Sequence, residues 1–479
     1  MKNLEPRLLW NFFHQITQIP RPSKKEERIL AFVKQVATEN NLPYVEDAVG
    51  NLVIRKAASP GYENRPGVIL QSHVDMVCEK NADTEFNFDT DAIQAYIDGD
   101  WIKAKGTTLG ADNGIGMAMA LSVLSSSNLK HPALECLFTV DEETGLTGAF
   151  ALETGLLKGE VLINLDSEDD GEVFIGCAGG IGTKATFGYK KETTPHGMFA
   201  FRVEVSGLKG GHSGGDIHLG LANALKLLAG YLAKLTETMP VHLEQIKGGN
   251  LHNAIPREAG AVVVVPYAEK ETIRVILNVY LADVEAQYKE TEPGLKISLS
   301  SVEAPAEVIV KATTDRLIAA LNACPHGVMA MSTDMPGLVE TSTNLASVKM
   351  DDATITIVTS QRSMGEAGKK EIADKVFEVF KNAGAEVEQN DGYPGWKPNL
   401  NSRILTITRE AYKTLFGQDP AIKAIHAGLE CGLFLEKYPQ LDMVSVGPQM
   451  YGVHSPDEKL SIASTQKSWA WLVEILKNS

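Results

Sequence analysis

Residues 67–75 read Gly67-Val-Ile-Leu-Gln-Ser-His73-Val-Asp75, an apolar run of strand length that ends directly in a histidine and an aspartate. Short apolar runs bounded by polar residues are typical of buried strands. Two similar runs follow, Leu134-Glu-Cys-Leu-Phe-Thr-Val140 and Val161-Leu-Ile-Asn-Leu165, and helix-like stretches such as residues 115–125 separate the three. Strands that alternate with helices in this way favour an α/β layered domain.

The sequence pattern changes at about residue 187. Residues 199–206 alternate as a half-buried strand, residues 219–234 read as a helix, and residues 260–265 read as another strand, which indicates an inserted α+β unit. A weaker strand, helix and strand order recurs between about residues 297 and 362 and suggests an internal duplication of this unit.

The two ends of the chain return to the first pattern. Residues 4–40 look helical, with Ser23 and Glu26 in capping-box spacing, and the tail after about residue 390 again reads as helix, strand and helix. We therefore predict a catalytic domain in two parts with an inserted lid and dimerisation domain between them. The expected limits are 1–186, 187–390 and 391–479.

Composition and charge exclude several classes of partner. The formal net charge of the 479 residues is −16, which argues against binding to nucleic acid or to an anionic membrane surface. No apolar run approaches the roughly 20 residues of a membrane span, and the amino-terminal residues carry charge, so we expect neither a signal peptide nor an anchor. The five cysteines are scattered without Cys-x-x-Cys spacing, which fits reduced thiols in a cytoplasm.

Acidic and histidine residues cluster at the ends of the predicted strands or in the loops that follow them, where α/β sheets usually place their active sites. The segments are His73-Val-Asp75, Gly110-Ala-Asp112-Asn113-Gly114, Asp141-Glu142-Glu143-Thr-Gly145, Asn164-Leu-Asp166-Ser-Glu168 and Gly452-Val-His454-Ser-Pro. Each segment alone is more often a solvated or satisfied polar group than a ligand. Together they press several carboxylates against apolar strands, and such charges need a compensating cation, which a pair of divalent metal ions would supply.

The kinds of side chain indicate the metal. Imidazole and carboxylate without thiolate suit zinc best, with manganese or cobalt as replacements, and two such ions sharing a carboxylate lie roughly 3.5–4 Å apart. Asp75 follows His73 by two residues on one strand face, so we expect it to hydrogen-bond the imidazole. Glu142 and Glu143 are adjacent on a segment expected to be extended, so one can bind metal while the other faces the attacking water.

The order of these segments resembles that of the co-catalytic zinc peptidases, a family that includes carboxypeptidase G and aminoacylase, and within it the aminoacyl-histidine dipeptidase branch. The resemblance runs over essentially the whole chain and extends to Gly106-Thr-Thr-Leu-Gly-Ala-Asp-Asn-Gly-Ile-Gly, Cys177-Ala-Gly-Gly and Gly428-Leu-Glu-Cys-Gly. Many relatives carry a charged residue after the bridging aspartate. Asn113 in this position favours the aminoacyl-histidine branch over the deacylases.

The resemblance implies two metal sites that share one carboxylate. One ion would be held by His73, Asp112 and Asp166, and the other by Asp112, Glu143 and His454. Glu142 is then the general base, which takes a proton from the water and returns it to the leaving amine.

The resemblance also gives roles to residues of the inserted domain. Segments Gly210-Gly-His212-Ser-Gly, Asn253-Ala-Ile-Pro and Gln361-Arg362-Ser match positions that contact substrate in relatives. His212 is the candidate donor to the oxyanion, from its own subunit or from a partner's, and Arg362 is the candidate clamp for a free carboxylate. Gly428 could lend a backbone N–H to the same carboxylate.

The expected activity is hydrolysis of dipeptides, either Xaa-His substrates such as carnosine or a broader range, by a homodimer. An N-acyl amino acid amidohydrolase on the same two-metal site is the alternative enzyme. A catalytically inactive binding protein is disfavoured, because every expected ligand and the base are present.

Overall fold

The computed structural model describes residue 1 and residues 3–479. The chain forms two compact units. Unit 1 comprises residues 1–176, 396–424 and 429–479, and unit 2 comprises residues 177–395 and 425–428. The domain limits expected at residues 187 and 390 stay a prediction.

Unit 1 is built on an eight-stranded sheet whose centre is parallel. The strand order is Tyr44–Glu46, Leu52–Lys56, Leu134–Thr139, Val68–His73, Val161–Asn164, Asp442–Ser445, Glu172–Cys177 and Ala421–Ile425. Strand Val68–His73 runs parallel to both of its neighbours, and the three runs quoted from the sequence form three adjacent strands. Since the carboxyl ends of parallel strands meet at one edge, the polar segments that follow these strands are brought together.

Unit 1 also contains several helices, of which Ala111–Ser125 and Arg403–Phe416 contact this sheet. The helices of the unit span Arg7–Thr17, Glu27–Glu39, Ala111–Ser125, Glu142–Gly145, Thr147–Ala151, Arg403–Phe416, Glu430–Lys437 and Ile462–Asn478. Helix Ala111–Ser125 is buried on all sides up to Leu124, as expected for a helix that has no charged residue after Asp112. It packs against helix Arg7–Thr17 and strand Val68–His73.

A smaller sheet in unit 1 supports the carboxyl-terminal histidine. Its strand order is Met450–Tyr451, Lys459–Ser461, Trp101–Ala104 and Ala95–Asp98. The first two strands form an antiparallel pair, and His454 lies in the loop that joins them, with a left-handed φ of 62°.

Unit 2 contains a mainly antiparallel sheet of nine strands. Along the sheet they are Lys296–Val302, Met198–Ser206, Ala259–Pro266, His242–Gly248, Val339–Met350, Thr354–Ser363, Gly179–Gly188 and Glu386–Gln389, with Gly327–Met331 paired to Val339–Met350. Two short ladders join Lys191–Thr193 with Glu307–Ile309 and Gly211–His212 with Ala254–Ile255.

One face of this sheet packs against the long helices of unit 2. The helices span Ala224–Thr236, Thr272–Tyr288, Lys311–Ala323 and Glu366–Asn382, and short 3-10 turns cover Ile217–Leu219 and Tyr267–Glu269. The helix expected at residues 219–234 begins five residues later, because Gly220 is left-handed and the Asn223 side chain accepts from the N–H groups of Leu225 and Lys226. The internal duplication stays a prediction.

Helices Arg7–Thr17 and Glu27–Glu39 occupy most of residues 4–40, which were expected to be helical. The capping box expected at Ser23 is wrong, because no side chain caps the second helix. The Ser23 hydroxyl donates instead to the Asp75 carboxylate, at 2.7 Å. Within the described residues, no helix is long and apolar enough to cross a membrane.

Candidate metal and catalytic site

Two histidines of unit 1 each face two carboxylates. His73 Nε2 lies 3.0 Å from Asp112 Oδ1 and 3.3 Å from Asp166 Oδ1. His454 Nε2 lies 3.1 Å from Asp112 Oδ2 and 3.0 Å from Glu143 Oε2. Asp112 thus offers one carboxylate oxygen to each histidine and stands between two groups of ligand atoms.

Each histidine Nε2 faces more carboxylate oxygens than a single imidazole hydrogen can satisfy. An imidazole Nε2 carries at most one hydrogen, yet each of these nitrogens faces two carboxylate oxygens. Glu143 Oε1 is buried and has no hydrogen-bond partner among the described residues. A cation between each nitrogen and its two oxygens would satisfy all of these groups at once, so the donor set fits divalent metal ions.

Charge effects on these groups point the same way. Burial opposes a charge on His73, but Asp166, Asp112 and Asp75 raise its pKa well above the ordinary value. Hydrogen bonds to Asp112 and Glu143 raise the pKa of His454 to about 11. Both histidines therefore lie in a strongly negative environment that favours cations.

Glu142 lies beside the proposed metal ligands, and its surroundings shift its pKa. Burial, opposed by His73 and reinforced by neighbouring carboxylates, raises its pKa well above the ordinary value for glutamate. Ligand atoms of Glu142, Glu143 and His73 lie within 4.8 Å of one another. We expected the two glutamates on an extended segment, and this expectation is wrong. They lie in the short helix Glu142–Gly145, which follows a left-handed residue at Asp141.

Asp75 fixes this helix as well as the histidine. Its Oδ1 lies 3.3 Å from His73 Nδ1 and accepts the N–H of Glu142 at 3.1 Å, while its Oδ2 accepts the N–H of Glu143 at 3.1 Å. Burial opposes its charge, but the bonds from His73 and Ser23 lower the pKa of Asp75 to about 2. An ionised Asp75 therefore orients both an imidazole and the segment that carries the two glutamates.

The remaining residues that the sequence singled out belong to unit 2. His212 lies on the short strand Gly211–His212, and its Nδ1 accepts the N–H groups of Gly214 at 3.2 Å and Gly215 at 2.9 Å. The Nδ1 lone pair is therefore engaged, and a neutral His212 carries its proton on Nε2. Desolvation and the positive charge of Arg362 lower the pKa of His212, which keeps it neutral.

Arg362 is a nearly buried cation with no anionic partner in the part of the chain that the structure describes. Its side chain lies at the end of strand Thr354–Ser363, and the residue is 6% exposed. Nη1 donates to the Tyr393 hydroxyl at 2.8 Å, whereas Nε has no acceptor among the residues described here. A guanidinium in this state can bind a carboxylate brought by a ligand.

Asn253 and Gly428 are less clearly placed for substrate contact. The Asn253 carbonyl accepts the N–H of Ser213 at 2.7 Å, which holds the segment after His212. A Cβ atom at Gly428 would come within 2.8 Å of the Tyr393 ring, so the absence of a side chain there makes room for that ring.

With this geometry described, the chain can be compared with known proteins. The sequence model of the peptidase family M20/M25/M40 matches residues 69–478. This span contains every proposed metal ligand. The chain belongs to this family.

Two relatives match this M20 peptidase over its full length. The cytosol non-specific dipeptidase of Escherichia coli (strain K12) is 44% identical over 477 residues, which cover 100% of this chain and 98% of that protein. The crystal structure of aminoacylhistidine dipeptidase from Vibrio alginolyticus is 45% identical, with a TM-score of 0.92 over 100% of this chain and 97% of the other. The peptidase family predicted from the motif order is confirmed.

A more distant structure supports the fold alone. Aminopeptidase PepT from Bacillus cereus ATCC 10987 is 17% identical, with a TM-score of 0.58 over 99% of this chain and 98% of the other. The α/β fold class expected from the strand and helix order is confirmed.

Two buried charges of the M20 chain escaped the sequence analysis. Glu458 accepts backbone N–H groups from Leu109 at 2.6 Å, Gly110 at 2.9 Å and Ala111 at 2.7 Å. Arg21 donates to the carbonyls of Gly110 and Asp75, each at 2.5 Å. Both side chains act on backbone atoms of the turn before Asp112, so no motif spacing identifies them.

A buried polar ladder beneath the ligands was also missed. Ser445 donates to Asn164, Asn164 to Gln71 and Gln71 to Glu430, at 2.5, 2.5 and 2.6 Å. The first three residues lie on adjacent strands of the sheet, and Glu430 begins helix Glu430–Lys437. The Glu430 carboxylate also accepts from Thr139 at 3.0 Å. Asn164 and Gln71 each precede a proposed ligand by two residues. These hydrogen bonds therefore support the strand ends that lead to the site.

Proposed function

We propose that this chain hydrolyses dipeptides with two divalent metal ions that share Asp112. The observation that carries the proposal is the pair of contacts from one carboxylate to two histidines, Asp112 Oδ1 to His73 and Oδ2 to His454. A shared carboxylate between two ligand groups is the arrangement that co-catalytic metal hydrolases use. The similarity to two dipeptidases over the full chain supports the substrate class.

The ligands of the two ions follow from the groups of side chains in unit 1. His73, Asp112 and Asp166 would hold one ion, and Asp112, Glu143 and His454 the other. Oxygen and imidazole ligands favour zinc, with cobalt or manganese as replacements. When bound, such ions polarise a scissile carbonyl and make a water molecule more acidic.

Glu142 is proposed as the general base. Its carboxylate accepts the proton of the attacking water and passes that proton to the leaving amine nitrogen. Ligand atoms of Glu142 lie within 4.8 Å of those of His73 and Glu143, so the proposed base lies beside both ligand groups. Asp75 keeps the base in place through its bonds to the N–H groups of Glu142 and Glu143.

Residues of unit 2 are proposed to bind the substrate. His212 donates its Nε2 hydrogen to the developing oxyanion, a role for which its occupied Nδ1 prepares it. Arg362 binds the free C-terminal carboxylate, which offers an acceptor to the buried Nε–H that has none among the described residues. Asn253 and Gly428 are proposed as further substrate-binding positions.

The substrate range, assembly and location are also proposals. The names of the two full-length relatives support Xaa-His dipeptides such as carnosine together with a broader set of dipeptides. We propose a homodimer in the cytoplasm, with residues 187–390 as an inserted lid and dimerisation domain.

A substrate panel tests the proposal. Metal-free protein is loaded with zinc, cobalt or manganese, the bound metal is counted, and hydrolysis is measured for Xaa-His dipeptides, other dipeptides and N-acetyl amino acids. We expect two ions per chain and preferential cleavage of dipeptides with a free carboxylate. Full activity with a single ion, or preference for the N-acetyl amino acids, would contradict the proposal.

A further inference from the structure

Residues from three sequence motifs, none of which contains a proposed metal ligand, meet at the Tyr393 side chain in unit 2. The motifs are Cys177-Ala-Gly-Gly, Gly428-Leu-Glu-Cys-Gly and Asn390-Asp-Gly-Tyr-Pro-Gly-Trp. A Cβ atom at Gly180 would come within 2.6 Å of the Tyr393 ring, and one at Gly428 within 2.8 Å. Both positions must lack a side chain for the ring to lie where it does.

The backbone of Tyr393 is held as firmly as its ring. Its N–H donates to the Gly180 carbonyl at 2.8 Å, and its own carbonyl accepts from the Gly180 N–H at 3.0 Å. The Lys369 ammonium donates to the same carbonyl at 2.8 Å. The Tyr393 hydroxyl is therefore a fixed point within unit 2.

That hydroxyl is the one hydrogen-bond partner seen for the Arg362 guanidinium in the described part of the chain. It accepts from Nη1 at 2.8 Å, and the buried Nε–H is left without an acceptor. A planar guanidinium held at one corner cannot rotate freely, so the direction of its remaining N–H groups is set. Arg362 and Tyr393 also line one cavity of about 650 Å³.

We propose that Tyr393 is a positioning residue that turns Arg362 toward the C-terminal carboxylate of the substrate. This inference rests on the proposed function, because it assigns the ligand of Arg362 to a dipeptide. The hydroxyl orients the guanidinium, and Gly180 and Gly428 are glycines because the tyrosine ring needs their space. Besides its proposed place in the substrate site, Gly428 leaves the space that the Tyr393 ring needs.

The variant Tyr393→Phe tests the role of the hydroxyl while keeping the ring between the two glycines. Steady-state kinetics are measured for L-alanyl-L-leucine and for its C-terminal amide. For the free acid we expect KM to rise about tenfold, as for loss of one hydrogen bond to a charged group, with kcat within about twofold of the parent. Kinetic constants for the amide should not change, because the amide has no carboxylate for Arg362 to bind.

Two further variants separate positioning from a general structural effect. Tyr189→Phe removes another tyrosine hydrogen bond in unit 2, to the Asp351 carbonyl, and should leave both substrates unaffected. Gly428→Ala keeps the backbone N–H but displaces the ring, and should raise KM for the free acid as Tyr393→Phe does. An unchanged KM in Tyr393→Phe, or equal changes for acid and amide, would overturn the inference.

A binding titration separates this inference from the proposed function. L-alanyl-L-leucine is titrated calorimetrically into Glu142→Gln protein with and without Tyr393→Phe, and we expect about tenfold weaker binding in the double variant. If the unsubstituted protein cleaves no dipeptide, while Glu142→Gln binds the free acid more tightly than the double variant does, the proposed function alone fails. If the free acid does not bind at all, or binds both proteins equally, the role of Tyr393 is refuted.

Discussion

Arg21 and Glu458 hold the same residue, Gly110, from its two polar groups. The Arg21 guanidinium donates to the Gly110 carbonyl at 2.5 Å, and the Glu458 carboxylate accepts the Gly110 N–H at 2.9 Å. Both side chains are almost fully buried. Since Gly110 is the N-terminal flank of the turn that carries Asp112, this clamp sets where the proposed bridging carboxylate lies.

The clamp predicts that Glu458 controls metal affinity without touching a metal ion. In Glu458→Gln, one oxygen is replaced by an amide NH₂ that cannot accept the N–H groups now bound by the carboxylate. We expect roughly 10–100-fold weaker binding of zinc or manganese, measured by calorimetric titration of chelator-treated protein. The exposed Glu410→Gln serves as control, and equal affinities in the two variants would contradict the role of Glu458.

The adjacent glutamates are expected to give opposite phenotypes. Glu142→Gln should retain two metal ions and lose about 10²–10⁴-fold in kcat, because an amide cannot accept the proton of water. Glu143→Gln should lose metal, since Glu143 Oε2 is one of two carboxylate oxygens facing His454. Metal analysis and kinetics on both proteins measure the difference. The reverse pattern would mean that the two roles are exchanged.

Glu430 makes the stability of the metal-free protein depend on pH. Burial, with a contribution from Asp166, raises the pKa of Glu430 to about 8. In the unfolded chain, the pKa of a glutamate is about 4.3. Between these values the folded state holds the proton and the unfolded state has lost it, so this group lowers stability as pH rises through the interval.

The variant Glu430→Gln should remove this contribution, because the neutral amide has no proton to lose. Relative to the parent in a chelator, its melting temperature should therefore increase from pH 5 to pH 8. The exposed Glu410→Gln, measured in the same way, should show no such trend against the parent. A constant difference between Glu430→Gln and the parent at all pH values would contradict the expectation.

The sequence predicts the fold best where hydrophobic runs and strand ends coincide. Strands expected at 134–140, 161–165 and 199–206 lie at Leu134–Thr139, Val161–Asn164 and Met198–Ser206. The parallel pairing then explains why the side chains of the separate motifs lie together in unit 1. Their roles as ligands and base stay predictions.

The contacts that could not be predicted have backbone partners or partners far along the chain. Glu458 and Gly110 are 348 positions apart, and the bond uses only a backbone N–H that any residue would offer. Ser23 was misread for the opposite reason. Its spacing to Glu26 matches a local capping pattern, but a buried carboxylate 52 positions away is a stronger acceptor for its hydroxyl.

The His212 tautomer predicts a specific pattern of rescue. His212 Nδ1 accepts from the Gly215 N–H at 2.9 Å, so Nε2 carries the hydrogen proposed to stabilise the oxyanion. His212→Ala should lower kcat by roughly 10²–10³-fold with a smaller change in KM, as for loss of an oxyanion donor. His212→Gln, whose amide can donate from a similar reach, should recover part of this loss.

The exposed His218→Ala in the same segment is the matched control and should behave as the parent. Because desolvation and Arg362 lower the pKa of His212, the neutral donor persists on acidification, and kcat should show no loss from its protonation near pH 6.5. Equal activity of the Ala and Gln variants, or a loss confined to KM, would remove His212 from the chemical step.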